Sequence, residues 1–292
     1  MKTPILVLTD FRPAGQQALH YAVLLAQHLH LELVILHAFH VPSNYNAEVR
    51  EKMRRLREEN VQLEFRKIKN KYEVYSYQGS EEHLRIRTEA SEAPLHESIC
   101  QAAGKYHPMM LVMGNDNEQQ LSHLLSGGKT RKLIEDTRLP VLVVPLDVEP
   151  SVPRNIVYAT DLKKPDAPLF EALLNWTDAF AAEIDTVHIT TDTATTGDDL
   201  NRFLLLEEEL SQNPDYERVH FSDEIALSFT EGLDEYLAEH PADMLVMVTR
   251  KYPIWKQCLR ASRTRQRARY TRIPLLTLSE GSLAFVDKSE AS

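Results

Sequence analysis

The residues of this chain best suited to chemistry are glycines set near aspartates, and the chemistry they suit is anion binding. Gly114-Asn115-Asp116-Asn117 follows an apolar run, and nine residues later Gly127-Gly128-Lys129-Thr130 opens a helical stretch. Without a Cβ, glycine lets backbone N–H groups approach a phosphate, and the N-terminus of a helix favours negative charge. Gly128-Lys129-Thr130 has the look of the end of a P-loop, but that motif needs a glycine where His123 stands. Asp10 and Asp161 each close a short apolar run. An aspartate there either fixes the following turn through its carboxylate or contacts a ligand, and both readings stay open. His37 and His188 end two further runs. Neither has a second His, Cys or carboxylate at metal-ligand spacing, so each reads as a core or pocket-wall histidine. Spacing marks out no nucleophile with its base and no pair of carboxylates, so the chain does not read as an enzyme.

These residues need elements to place them, and the elements occur twice. Val7-Leu8-Thr9-Asp10 matches Tyr158-Ala159-Thr160-Asp161 and Leu36-His37 matches Val187-His188, both at a step of 151 residues. Leu111-Val112-Met113 matches Leu245-Val246-Met247, and Leu139-Pro140-Val141-Leu142 matches Ile273-Pro274-Leu275-Leu276, both at a step of 134. The second copy is therefore shorter only between its second and fourth strands. The first copy predicts strands at 4–9, 33–38, 84–88, 109–113 and 141–144. Its helices are expected at 18–29, 48–69, 94–106 and 130–136, with Pro13 and Gly15 in a turn. The second predicts strands at 155–160, 186–190, 218–221, 244–247 and 275–278, with helices at 168–182, 200–210 and 226–239. Strands alternating with helices imply right-handed crossovers and a parallel sheet covered on both faces. The expected domains are 1–147 and 154–282, joined by a linker with Pro150 and Pro153.

At 292 residues and 43% hydrophobic content, two domains of ordinary size can each bury a core. A net charge of −10 makes no general case for nucleic acid. One segment departs from this. Between Arg250 and Arg272 lie nine basic residues and no acid, with Tyr252, Trp255 and Tyr270 interleaved. It reads either as a solvated basic face or as a site for an anionic partner such as phosphate or RNA. Cys100 and Cys258 fall in different copies and read as reduced residues. The N-terminus lacks a signal-peptide pattern and no apolar run reaches the length of a membrane span, so a cytoplasmic protein is expected.

With a strand ending in Thr9-Asp10, a second ending in Leu36-His37, a fourth ending in Val112-Met113-Gly114, and Leu139-Pro140-Val141-Leu142-Val143-Val144-Pro145, the chain resembles the universal stress protein family in its tandem form. The resemblance covers nearly the whole chain. It implies two five-stranded parallel sheets of order 3-2-1-4-5 with helices on both faces, the adenine nucleotide alpha hydrolase-like fold. It also implies fifth strands that meet within the chain as a pseudo-dimer. ATP-binding members carry Gly, two residues, Gly, nine residues, Gly, then Ser or Thr. Here those positions hold Gly114, Asn117, Gly127 and Gly128, so two of four match; Asn tolerates positive φ, and Gly128 keeps its N–H. In the second copy they hold Val248, Lys251, Ala261 and Ser262, where side chains would fill the phosphate space. The resemblance thus implies weak ATP binding in the first domain, at Asp10, Ala38, Gly114, Asn117, Gly127 and Gly128, and none in the second. It implies action through protein partners and a homodimer as a further state, with an ATP switch of slow hydrolysis as the alternative.

Overall fold

The computed structural model describes residues 3–75, 81–115, 139–160, 162, 167–191, 201–202, 204–208, 217–249 and 272–279. The first half runs β1 (Pro4–Leu8), α1 (Pro13–His28), β2 (Glu32–Ala38), α2 (Ala47–Tyr72), β3 (Ile86–Ser91), α3 (Leu95–Tyr106), β4 (Met110–Asn115) and β5 (Val141–Pro145). The second runs β6 (Asn155–Thr160), α4 (Ala167–Thr177), β7 (Glu183–Thr190), β8 (Val219–Ile225), α5 (Phe229–Glu239), β9 (Met244–Thr249) and β10 (Leu275–Ser279). All ten strands form one sheet, ordered β3-β2-β1-β4-β5-β10-β9-β6-β7-β8. Each half has the order 3-2-1-4-5. Every pairing is parallel except the seam, where β10 runs antiparallel to β5 with Leu276 opposite Leu142 and Thr277 opposite Val141.

The near-continuous apolar strands follow from burial on both faces. Successive side chains point to opposite faces, so Ile5 and Val7 enter one core while Leu6 and Leu8 enter the other. The first core runs unbroken across the seam, from Leu25, Ile35 and Phe65 to Leu142, Leu276, Tyr158 and Phe170. The linker is tied down as well. Gln17 Nε2 on α1 donates to the Val148 carbonyl, and Val148 and Val152 pack on this core. Asp243 Oδ2 accepts from the backbone N–H of Arg154 at 2.8 Å and of Asn155 at 2.9 Å, fixing the start of β6 beside β9.

Several boundaries differ from the sequence expectation. Helix α1 begins at Pro13, not at Ala18, because proline at N1 lacks an N–H that would go unbonded there anyway. Gly15 therefore lies in the first helical turn. Strand β3 is displaced to Ile86–Ser91; Leu84 is buried, but its N–H donates to the Tyr75 carbonyl instead of the sheet ladder. Helix α4 ends at Thr177, and a 3₁₀ turn over Asp178–Phe180 stops at Ala181 in the left-handed region (φ 49°). Helix α5 starts after Ser228, whose hydroxyl accepts from the Glu231 N–H, so its true cap lies two residues beyond Ala226. The helix expected at 130–136 lies outside the described residues, and that at 200–210 is described only in part, with 204–208 helical. Among the described residues no helix is long and apolar enough to cross a membrane.

Helix α2 is held differently along its length. Val61, Phe65 and Tyr72 are buried in its C-terminal half. Its N-terminal half is tied to the segment before α3 by Arg54, whose guanidinium bonds Glu92 and also Glu51. The bond from Arg54 holds the Glu92 carboxyl below the ordinary carboxylate range.

Two outcomes follow. A core shared across the seam makes thermal unfolding one cooperative transition, and Leu276→Ala should lower the stability of both halves together, by about 2–5 kcal/mol; two separated melting steps would contradict this. Because the folded pKa of Glu92 is depressed, its contribution is present above the unfolded value and is lost as pH falls through the folded one. Melting temperatures taken from neutral pH down through about pH 4 should therefore fall less steeply in Arg54→Met than in the parent chain.

Candidate functional site

At the carboxyl edge of β1, β2 and β4 a cleft of about 540 Å³ opens, lined by Asp10, Ala38, His40, Pro94, Met113 and Gly114 among others. Open parallel sheets place ligand sites at this edge, where the strand order reverses direction. Here the reversal falls between β1 and β4. Part of its wall is Ala93, Pro94 and Leu95 at the start of α3. Ser98 anchors that wall through its hydroxyl, which bonds Ser91 Oγ at 2.9 Å and the Pro94 carbonyl at 3.2 Å.

The turn after β1 is set by its own side chains. Thr9 Oγ1 accepts from the Phe11 N–H and Asp10 Oδ1 from the Arg12 N–H, each at 3.0 Å. Phe11 sits in the left-handed region at φ 63°. Three contacts hold it there. Its carbonyl accepts from Gln16 Nε2, and its ring stacks on His37 with centroids 4.4 Å apart and meets Phe65 edge-on. His37 Nδ1 donates to the Thr9 carbonyl at 2.8 Å, which leaves Nε2 as the acceptor in the neutral ring. The turn-fixing reading of Asp10 holds, through Oδ1, and the side chain, 58% exposed, also lines the cleft.

Gly114 has a packing role that sequence spacing did not reveal. A Cβ there would lie 2.0 Å from the Ala14 carbonyl oxygen and 2.3 Å from its carbon. The first turn of α1 rests directly on the end of β4, and only glycine permits that approach. Gly15 is tight as well, since a Cβ would lie 3.0 Å from Asp10 Oδ1. The structure thus brings Asp10, Ala38 and Gly114 together in one cleft. Asn117, Gly127 and Gly128 lie outside the described residues.

The second half repeats the turn but not its surroundings. Leu162 takes the place of Phe11 at φ 51°, and its N–H donates to Thr160 Oγ1 at 3.1 Å. Val248 stands where Gly114 does and packs half-buried against the core. His188 differs from His37, because its Nδ1 lies 3.0 Å from Asp223 Oδ1 and Thr190 Oγ1 donates to the same oxygen at 3.1 Å. Asp223 faces His188 across the β7–β8 ladder, so no spacing within one segment could have shown it. Among the described residues no cluster of three or more His, Cys, Asp or Glu could hold a metal ion. Asp161, Lys251, Ala261, Ser262 and the basic run up to Thr271 lie outside the described residues.

A parallel sheet of order 3-2-1-4-5 in each half, covered by helices, defines an open α/β fold of the adenine nucleotide alpha hydrolase-like type. The profile of the universal stress protein family matches residues 1–145. The first half of the chain is a domain of that family. Similar folds cover nearly the whole chain. A universal stress protein from Archaeoglobus fulgidus DSM 4304 superposes with a TM-score of 0.67 at 17% identity, over 94% of this chain and 98% of that one. A putative universal stress protein from Pseudomonas aeruginosa UCBPP-PA14 gives 0.56 at 13% identity, over 100% and 98%. The cytoplasmic domain of a prokaryotic cation chloride cotransporter gives 0.53 at 12%, over 97% and 99%. A comparison with curated proteins gives no match.

Because of the Ala14 contact, Gly114→Ala should act on the fold before it acts on any ligand. Overpacking of this kind costs about 1–3 kcal/mol. The melting temperature should drop in the absence of any nucleotide; an unchanged melt would mean that α1 moves aside freely.

Proposed function

We infer that this universal stress protein works by binding, as a stress-response protein that engages partners, and that the cleft of its first half takes an adenine nucleotide weakly. The observation that carries this reading is the cleft itself: about 540 Å³ in volume, apolar along Leu8, Leu36, Ala38 and Met113, with one carboxylate at Asp10 and the bare backbone of Gly114. Its size suits a small molecule. The apolar wall suits a purine face, and Asp10 suits an exocyclic amino group, which donates two hydrogen bonds. By the family resemblance, Asn117, Gly127 and Gly128 surround the phosphates. Asn117 in place of a glycine and Gly128 in place of Ser or Thr support weak binding. In the second half, Val248 puts a side chain at the position of Gly114, which supports a cleft without nucleotide. The seam between β5 and β10 supports reading the chain as a pseudo-dimer of two universal stress domains.

The alternative is an ATP switch with slow hydrolysis, favoured by Gly127 in its family position and by the open cleft beside Asp10.

Calorimetry with ATP and Mg²⁺ tests the reading. We expect one site per chain with a dissociation constant weaker than about 10 μM, or about −7 kcal/mol. Asp10→Asn separates the two roles of Asp10. The amide keeps an oxygen for the Arg12 N–H, so the fold should stay intact. Its NH₂ group would then face the purine amino group donor to donor, and affinity should fall about tenfold or more. Equal affinity in the variant would reduce Asp10 to a turn-fixing residue. Binding in the second half alone would overturn the proposal, and phosphate release at a steady rate would favour the switch.

A further inference from the structure

Helix α2 is 26 residues long, so it spans about 39 Å. Its buried residues, Val61, Phe65 and Tyr72, all lie beyond residue 60. On the face turned away from these, Val49, Leu56 and Leu63 are exposed by 38%, 51% and 47%. They stand seven residues apart, so on a helical wheel they fall within about 20° of one line. Three large apolar residues in a line on an otherwise charged helix form a seam that lacks its partner.

The flanking charges select the partner. Lys52 and Glu59 lie about 40–60° to one side of the line. If a second α2 packed parallel and in register, Lys52 would meet the partner's Arg57, Glu59 the partner's Glu64, and Arg66 the partner's Lys71. All three pairs are like charges. Packed antiparallel about a two-fold axis at Leu56, the helices place Leu56 on the partner's Leu56 and Val49 on the partner's Leu63. Lys52 then meets the partner's Glu59, twice over by symmetry. On the other flank Arg50 meets the partner's Glu64, again twice over by symmetry, and Arg57 alone meets its like-charged counterpart. We propose that the exposed face of α2 is a self-association surface on which a second copy of this chain docks, antiparallel and centred on Leu56.

The arrangement is isologous, so it closes at two subunits. With only three apolar residues per helix the dimer is weak, at micromolar affinity or poorer. It stands independently of nucleotide binding in the cleft, and it leaves the β5–β10 seam within each chain untouched.

Analytical ultracentrifugation of the full chain, from micromolar to millimolar concentration, tests this. We expect a reversible monomer–dimer equilibrium. Leu56→Glu places two carboxylates on the axis and should abolish the dimer while leaving the melting curve unchanged, since Leu56 is half exposed. Lys52→Glu alone and Glu59→Lys alone should each weaken the dimer about tenfold or more, and the double variant should restore it. That pattern rests only on exposed side chains, so it decides the matter even if Leu56→Glu fails to fold. A chain that stays monomeric throughout, a dimer indifferent to both charge reversals, or a double variant weaker than either single one would each overturn the proposal.

Discussion

The architecture depends on one antiparallel contact between strands that lie far apart in the chain. Leu275, Leu276 and Thr277 of β10 pair with Val143, Leu142 and Val141 of β5. These residues are almost fully buried, and Thr277 donates its hydroxyl to the Val141 carbonyl at 3.1 Å. Without this pairing each half would end in a bare apolar edge strand, which is a template for aggregation. With it, the edges of the ten-stranded sheet are β3 and β8, and both carry charge: Arg87 and Glu89 on one, Asp223 and Glu224 on the other. The pairing also sets the relation of the two clefts. Two parallel half-sheets joined antiparallel must point their carboxyl edges in opposite directions, so the two switch points cannot share one ligand.

Within each half the strand-end turn is a self-contained device. Thr9 and Thr160 each accept an N–H from two residues on, and that residue takes positive φ in both cases. A non-glycine residue at positive φ costs of order 1–3 kcal/mol and needs compensation from its surroundings. For Phe11 the compensation is visible in the stack on His37 and the edge contact with Phe65. This turn places Asp10 at the cleft, so part of the cleft's shape rests on the Phe11–His37–Phe65 aromatic cluster.

Much of this was legible in the sequence, and the reasons are physical. The repeat steps and the strongly apolar strands gave the element order and the five-stranded halves, because burial on both faces leaves an unmistakable apolar run; the meeting of the fifth strands followed only from the family resemblance. Asp10 and Gly114 were legible as cleft residues from the family resemblance and from their place at the carboxyl ends of strands, although a turn-fixing use of Asp10 was equally legible. What could not be read depends on distance in space. The clash that excludes a side chain at Gly114 comes from Ala14, a hundred residues earlier in the chain. The Asp223 partner of His188 comes from the next strand over, and the Pro94 wall comes from α3. Helix starts were misplaced where a local signal had two meanings: Pro13 serves a turn and a first helical position equally well.

The two meanings of Gly114 bear on how the halves diverged. In the first half this glycine admits the first turn of α1 onto β4 and also bares backbone toward the cleft. A substitution there would disturb fold and site at once. The second half carries Val248 instead, half-buried against the core, and keeps its strand order, its positive-φ turn and its seam. The fold therefore tolerates a side chain at this position when the neighbouring elements accommodate it. The seam offers no such latitude, since each of its residues faces a counterpart fixed by the other half. A fused pair of domains can thus gain a side chain at this strand end in one copy at little structural cost, while the strand that joins the copies must stay apolar.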